Sequence, residues 1–328
     1  MSGENAGVRP GQLLSAVRAE TGLDLVQLSP TGAGESGTTF WVEDRDGTVS
    51  VLKILPGSAR EPVGNLPGSA REPVGDLPGS ARQPVAYLRA LDTVTVRLRA
   101  RGYPAPRIRV IGQAAGHVFW IQERLPGAVL ESSPQASGPL ALVRLVPELT
   151  RLNDAQAGLG DDQGGWPDLL VSTLTHGGDG YCLHSTLEAR PGLRDLLGIV
   201  RRIGDSCGPA IPPGRDFVHF DFTLANLLTD GTAVTGVIDI NPPLLTGDRA
   251  FDLATLLFYC YDHDDIRDHL RARLLQLTDY RAARAYLAHM VLRQVDWSLR
   301  HHPRAKATRH HLALARLVVA DIAAERLS

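Results

Sequence analysis

The chain has 328 residues, of which 43% are hydrophobic and 21% are charged. This length and composition are typical of a soluble globular protein with two domains or lobes, whose core needs no disulfide or metal. The formal net charge of −2 excludes the basic balance by which proteins bind nucleic acid or an anionic membrane. No stretch approaches the roughly 20 apolar residues of a membrane span, and the three cysteines lack metal spacing. We therefore expect a cytoplasmic protein with reduced thiols.

The first part of the chain reads as a helix followed by three strands. Residues 9–20 have the apolar spacing of a short helix. Residues 25–55 read as strand, glycine-containing turn, strand, tight turn at Asp46-Gly47 and strand. Lys53 lies on the third strand and is one of only two lysines among 34 basic residues. Because lysine and arginine differ chemically, a lysine kept in such a chain is a candidate functional residue.

An 11-residue motif then repeats three times, as LPGSAREPVGN, LPGSAREPVGD and LPGSARQPVAY. Each copy carries two prolines and at least one glycine, which exclude a continuous helix. The period is also too short for a solenoid repeat. We interpret residues 55–86 as an expanded surface loop, with a partner-binding linker as the alternative.

The rest of the chain changes from strands to helices. A helical pattern over 85–101 precedes two further strands, at 104–112 and 117–125. Only two short strand-like runs, LANLLTD and AVTGVIDI, interrupt the second half. Seven segments there have helical apolar spacing: 139–153, 167–175, 191–206, 250–261, 264–277, 279–299 and 306–326. The sequence predicts an α+β fold of two lobes, a strand-rich lobe over 1–124 and a helical lobe over 125–328, with a ligand cleft between them.

The densest chemical signal is VHFDFTLANLL at 218–228, followed by GVIDI at 236–240. Phosphoryl transfer needs a carboxylate that orients the attacking hydroxyl, oxygen ligands for Mg²⁺ and a cation on the phosphates. Asp221 is suited to the first task, and Asn226 and Asp239 are suited to the second. Lys53 is suited to the third.

These residues resemble the His-x-Asp-x-x-x-x-Asn loop and the metal-binding aspartate of the aminoglycoside phosphotransferase and choline kinase-like family, which is related in fold to protein kinases. GDRAFDLATLLFY (247–259), RARGYPAPRI (99–108) and IQERLPG (121–127) are similar to further motifs of that family. The resemblance runs from about Leu25 to Tyr261. It implies a two-lobed, protein-kinase-like fold and a kinase that uses Mg²⁺ and ATP, with GTP as the alternative nucleotide.

The resemblance also implies a role for each chemical residue. Asp221 is the catalytic base, and Asn226 and Asp239 hold Mg²⁺. Lys53 contacts the ATP phosphates, and Asp92 is its acidic partner.

Further nucleotide contacts come from the strand-rich part by the same resemblance. The turn TGAGESGTT would cover the phosphates, with Ser36, Gly37 and Thr38 closest. Backbone groups near Glu123 and Leu125 would meet the adenine ring.

The chain departs from the family pattern at several positions. Phe220 stands where glycine is common, and residues 223–225 replace a His-Pro-Gly-like run. Ile240 follows the metal aspartate where tryptophan is common, and Asp92 is shorter than the usual glutamate. None of these changes removes a required ligand.

Other polar residues near these motifs are interpreted as structural. His219 would orient the loop by hydrogen bonds, Asp248 would cap the following helix, and Asp252 would brace the loop. The acidic run at 261–270 is either a pocket for a cationic aminoglycoside or a helix start whose acids suit the helix dipole. We favour the helix start.

We therefore expect an O-phosphotransferase that acts on a hydroxyl group of a small molecule. An antibiotic inactivated by phosphorylation is the expected acceptor, and a metabolic sugar or amino alcohol is the alternative. A nucleotide-binding pseudokinase and an interaction scaffold that works through the repeats are rivals from other classes. The sequence predicts no nucleic-acid or membrane partner, and it leaves the acceptor and the oligomeric state open.

Overall fold

The computed structural model describes residues 10–30, 39–55, 83–132, 139–160, 165–178, 180–240 and 245–325. The chain divides into two compact units. Among the described residues, the first unit contains 10–30, 39–55, 83–96 and 106–125, and the second contains 97–105 and those from 126 onward. Most of the repeat segment lies outside the described residues, as do Ser36, Gly37 and Thr38. The predicted boundary between 124 and 125 stays a prediction.

The first unit is built on an antiparallel sheet. Helix α1 (Pro10–Thr21) precedes β1 (Val26–Pro30), β2 (Thr39–Glu43) and β3 (Val49–Leu55). Helix α2 (Gln83–Ala100) leads to β4 (Ile108–Ala114) and β5 (His117–Glu123). The strand order is β1-β2-β3-β5-β4, and every neighbouring pair is antiparallel. The sequence predicts these five strands and two helices in this order, but β4 begins at Ile108 rather than at 104 and β5 ends at Glu123 rather than at 125.

Alternation along β3 separates its lysine from the core. Leu52 and Ile54 join a buried apolar cluster that includes α1. Lys53 lies between them and so projects from the other face of the sheet, where it is only 8% exposed. It is paired in register with Trp120 of β5, and its Nζ lies 5.8 Å from the centre of that indole ring.

The second unit is mostly helical. Its described elements are, in chain order, β6 (Ala128–Val129), α3 (Pro139–Ala155), α4 (Trp166–His176), α5 (His184–Glu188), α6 (Arg194–Cys207), β7 (Asp216–Val218), β8 (Leu227–Thr229), β9 (Val234–Val237), β10 (Leu245–Gly247), α7 (Ala250–Tyr259), α8 (Asp264–Leu277), α9 (Tyr280–His301) and α10 (Lys306–Ala323). All seven predicted helices are present. The expectation of only two strands in this half is wrong, because β6, β7 and β10 are also there. With two or three residues each, they are too short to show an alternating pattern.

Two small sheets and one central helix position the predicted loop. Strand β7 pairs with β10, and β8 lies between β6 and β9. Helix α9 packs against α4 to α8 and against α10, and 15 of its 22 residues are buried. The segment 219–226, between β7 and β8, therefore starts and ends on hydrogen-bonded strands.

Two further sequence expectations concern the thiols and the membrane. Cys182, Cys207 and Cys260 are all buried free thiols. Among the described residues, no helix combines the length and the apolar character needed to cross a membrane.

Candidate active site

The segment between β7 and β8 folds back on itself through backbone hydrogen bonds. The amide of Thr223 donates to the carbonyl oxygen of Asp221 at 2.9 Å, and the amide of Asn226 donates to the carbonyl oxygen of Thr223 at 3.0 Å. A 3₁₀ turn over Leu224–Asn226 completes the reversal. Asn226 is thereby returned to the side of Asp221, although four residues separate them in the chain.

The side chain of Asn226 is fixed by Asp221. Its amide nitrogen donates to the Asp221 backbone oxygen at 2.9 Å and to Oδ2 of the Asp221 carboxylate at 2.8 Å. Both bonds use the nitrogen, so the side-chain oxygen is the atom suited to a cation. The Asp221 side chain remains 48% exposed.

Asp239 follows the strand that pairs with the one after Asn226. Leu227 of β8 is in register with Val237 of β9, and the amide of Ile238 donates to the carbonyl oxygen of Asn226 at 2.9 Å. Asp239 has a φ of 64°, a left-handed conformation that aspartate tolerates better than most residues. One carboxylate and one amide oxygen suit Mg²⁺, which binds proteins through one or two carboxylates and takes phosphate oxygens as further ligands.

A buried carboxylate on α7 holds the start of the loop. Asp252 has no exposed surface. Its Oδ2 accepts hydrogen bonds from the amide of His219 and from the side chain of Gln156, both at 2.7 Å. Its Oδ1 accepts one from the amide of Phe220 at 2.8 Å. Burial is the largest influence on this carboxyl group and raises its pKa. The predicted bracing role of Asp252 is confirmed.

Two neighbouring polar residues are also structural, as the sequence indicates. The Nε2 atom of His219 donates to the carbonyl oxygen of Ile238 at 2.9 Å, which joins the loop to the end of β9. Oδ1 of Asp248 accepts from the amide of Ala250 at 2.9 Å, at the start of α7. The Tyr286 hydroxyl donates to its other oxygen at 2.7 Å.

Phe220 has a backbone conformation that favours glycine. Its φ is 69°, in the region that glycine enters without steric cost. The ring is buried among aromatic groups, stacked on Phe251 with centroids 5.1 Å apart and edge-on to His289 at 5.6 Å. Packing of the Phe220 ring against these aromatic groups therefore offsets the steric cost of its left-handed backbone.

Arg293 of α9 completes the loop's contacts, and sequence reasoning missed it. Its guanidinium donates to the carbonyl oxygen of Phe220 at 2.6 Å and also to Oδ1 of Asp221. The side chain is only 13% exposed. Burial disfavours its charge, but attraction to Asp221 and nearby groups outweighs burial and raises the pKa of Arg293. The available signal was an arginine inside MVLRQV, a run whose other members are apolar or uncharged.

The nucleotide-binding roles of Lys53, Asp92, Glu123 and Leu125 in the first unit remain predictions. Asp92 lies on α2 and is partly buried, and its pairing with Lys53 stays a prediction. The amide of Glu123 donates to the carbonyl oxygen of Arg107 at 2.8 Å. An adenine contact by Glu123 would therefore use its carbonyl oxygen, and Leu125 follows it on the same segment.

The acidic run at 261–270 begins a helix. Asp264 and Asp265 occupy the first turn of α8. Asp264 pairs with Arg267 at 2.8 Å, and Asp268 lies 3.4 Å from Arg267. Asp264 and Asp268 are thus paired within their own helix, in agreement with the helix-start interpretation.

The chain matches a known protein family over most of its length. The family model described as "Phosphotransferase enzyme family" matches residues 27–286. A comparison with curated protein sequences finds no significant match.

Solved structures share the fold at low sequence identity. A thermostable mutant of aminoglycoside phosphotransferase APH(4)-Ia, without ligand, superposes with a TM-score of 0.61 at 19% identity, covering 94% of this chain and 98% of the other. Aminoglycoside phosphotransferase APH(3'')-Id from Streptomyces rimosus gives 0.51 at 16% identity, covering 87% and 98%. These likenesses confirm the predicted α+β fold.

Replacing Asp252 tests the brace. In Asp252→Asn, one oxygen gives way to an NH₂ group that faces a backbone N–H of the loop. We expect the free energy of unfolding in urea to fall by about 2–4 kcal/mol, since hydrogen bonds to a buried charge are lost. Asp268→Asn is the control, because its exposed ion pairs contribute about 0–1 kcal/mol. Equal losses in the two variants would contradict the brace.

His289 provides a pH-dependent test of the packing under Phe220. Burial lowers the pKa of His289 to about 3, from 6.5. Between these values only the unfolded chain binds the proton, so stability falls as the pH drops, by up to about 1.4 kcal/mol per unit. We expect His289→Phe to flatten the slope of unfolding free energy between pH 6 and 5 by about that amount. An unchanged slope in urea titrations would contradict the buried, neutral histidine.

Proposed function

Because the chain belongs to the phosphotransferase enzyme family, we propose that it transfers the γ-phosphoryl group of ATP to a hydroxyl group of a small molecule, with Mg²⁺ as the metal. The observation that carries this proposal is the restraint on the partly exposed carboxylate of Asp221. Its carboxylate is half-exposed, yet one oxygen is held by Arg293 and the other by Asn226.

The geometry of Asp221 supports its assignment as the catalytic base. Each carboxylate oxygen can accept two hydrogen bonds, and each is shown with one donor, Arg293 or Asn226. Capacity therefore remains for the hydroxyl group of an acceptor. Asp221 would orient that hydroxyl toward the phosphorus atom and take its proton as the new P–O bond forms and ADP leaves. Orientation of this kind supplies much of the rate in phosphoryl transfer.

The residues assigned to metal and nucleotide complete the proposal. Asn226 and Asp239 would hold Mg²⁺ through their side-chain oxygens. When bound, that ion neutralises charge on the phosphate oxygens. Lys53 would contact the phosphates with Asp92 as its acidic partner. Backbone groups near Glu123 and Leu125, together with the segment 36–38, would bind the rest of the nucleotide.

An antibiotic is the acceptor that we propose. APH(4)-Ia variants have been crystallised with hygromycin B and either ADP or AMP-PNP. APH(3'')-Id has been crystallised with ADP and streptomycin. Hygromycin B and streptomycin both carry many hydroxyl groups. Phosphorylation of one of these hydroxyl groups would inactivate the antibiotic. A metabolic sugar or amino alcohol is the alternative acceptor of the same chemistry.

Mass spectrometry tests both the chemistry and the acceptor. Aminoglycosides, other hydroxylated antibiotics, sugars and amino alcohols are incubated separately with ATP, Mg²⁺ and the protein. We expect one antibiotic to gain a phosphoryl group. Asp221→Asn should lower the rate by about 10²–10⁴-fold, the usual contribution of a general base. Asp268→Asn, a charge change on the exposed side of α8, should leave the rate unchanged.

Each other outcome changes the proposal. A modified sugar or amino alcohol would replace the antibiotic by the metabolic alternative. Tight binding of ATP and Mg²⁺ with no product from any compound would favour a pseudokinase. Absence of ATP binding would contradict the proposed function itself.

A further inference from the structure

Arg293 is a charged side chain in an apolar setting. It lies on α9 between residues with no exposed surface, among them Val291, Leu292 and Val295. A guanidinium group in such a place is stabilised only if its donors are matched by acceptors. In the segment 219–226 its two hydrogen-bond acceptors belong to consecutive residues, Phe220 and Asp221.

The first contact fixes the backbone of the loop. The N–H groups of His219 and Phe220 are held by Asp252 of α7, and the carbonyl oxygen of Phe220 is held by Arg293 of α9. The left-handed backbone of Phe220 is sterically unfavourable for a residue with a side chain. Asp252 of α7 binds the N–H group of Phe220 and Arg293 of α9 binds its carbonyl oxygen, so both bonds oppose relaxation of this backbone conformation.

The second contact fixes the side chain of Asp221. A half-exposed aspartate can rotate about two bonds, and Asn226 alone restrains only Oδ2. Donation from Arg293 to Oδ1 restrains the other oxygen. The guanidinium centre also lies 4.8 Å from the centre of the Phe220 ring. One planar group thus meets a carbonyl oxygen, a carboxylate and a ring face together.

From these contacts we infer that Arg293 is the positioning residue of the proposed base: it sets the left-handed turn at Phe220 and the direction of the Asp221 carboxylate toward the acceptor. The inference rests on the proposed function for the role of Asp221. Arg293 acts through Asp221, so its loss lowers the rate of transfer more than it affects nucleotide binding. Lysine cannot replace it, because a single ammonium group lacks the planar set of donors.

The experiment compares Arg293→Ala and Arg293→Lys with Arg284→Ala. Arg284 lies on the same helix, about 13 Å earlier at 1.5 Å per residue, and also rests on an aromatic ring, that of Tyr280, at 5.5 Å. Phosphoryl transfer is measured with the acceptor identified above. If no acceptor is found, it is measured as hydrolysis of ATP to ADP and phosphate. Hydrogen exchange of the peptide 217–229 is measured in parallel by mass spectrometry.

We expect Arg293→Ala to lower kcat by about 100-fold, the cost of a misplaced catalytic group, while the KM for ATP stays within about 2-fold of wild type. Exchange should accelerate in 217–229 and stay as in wild type elsewhere. Methylguanidine added to Arg293→Ala should restore part of kcat, and Arg293→Lys should remain as slow as the alanine variant. Arg284→Ala should match wild type in kcat and in exchange.

Three results would overturn the inference. They are an unchanged kcat in Arg293→Ala, an equal loss in Arg284→Ala, and exchange that accelerates throughout the chain rather than in 217–229. If wild-type protein transfers no phosphoryl group to any acceptor or to water, the proposed function fails instead. Exchange in 217–229 then decides alone whether Arg293 holds the loop.

Discussion

The arrangement of the site depends on one buried interaction. The Asp252 carboxylate accepts hydrogen bonds from the backbone N–H groups of His219 and Phe220. A buried charge is costly unless its hydrogen bonds are made, and here the loop supplies them. The same bonds satisfy two amide groups just after β7 ends. Together with the bond from Arg293 to the Phe220 carbonyl oxygen, they oppose relaxation of the left-handed backbone at Phe220. The brace therefore determines where the segment up to Asn226 begins.

From this point the loop is held by groups of opposite charge on two helices. Asp252 on α7 accepts from the backbone, and Arg293 on α9 donates to it and to Asp221. Asn226 then closes the loop from within. Each polar group that fixes Asp221 is itself restrained by burial or by strand pairing. A carboxylate that is half-exposed but already oriented loses little freedom when an acceptor hydroxyl arrives, which is the property that phosphoryl transfer requires.

The sequence predicted what depends on local spacing. Asp221, Asn226 and Asp239 could be grouped because one loop and the hairpin after it contain them, and the brace by Asp252 followed from the motif 247–259. The catalytic and metal-binding roles of the three residues stay predictions. Arg293 could not be assigned, since it lies 72 positions after Asp221 in the chain. Helical periodicity shows only that a position is buried, not which residues it contacts.

The same limit applies to the short strands and to backbone strain. The strands β6, β7 and β10 have two or three residues, and their pairing comes from tertiary contacts rather than from an alternating pattern. The left-handed conformation of Phe220 cannot be deduced from a phenylalanine, which ordinarily avoids it.

We propose different residues for proton removal and for metal binding: Asp221 as the base, and Asn226 and Asp239 as the ligands of Mg²⁺. Calorimetric titration with AMP-PNP, with and without Mg²⁺, tests this most directly in wild type, Asp239→Asn and Asp221→Asn. We expect Mg²⁺ to tighten nucleotide binding in wild type and in Asp221→Asn but not in Asp239→Asn. Equal loss of the Mg²⁺ effect in both variants, or no such effect in wild type, would contradict it.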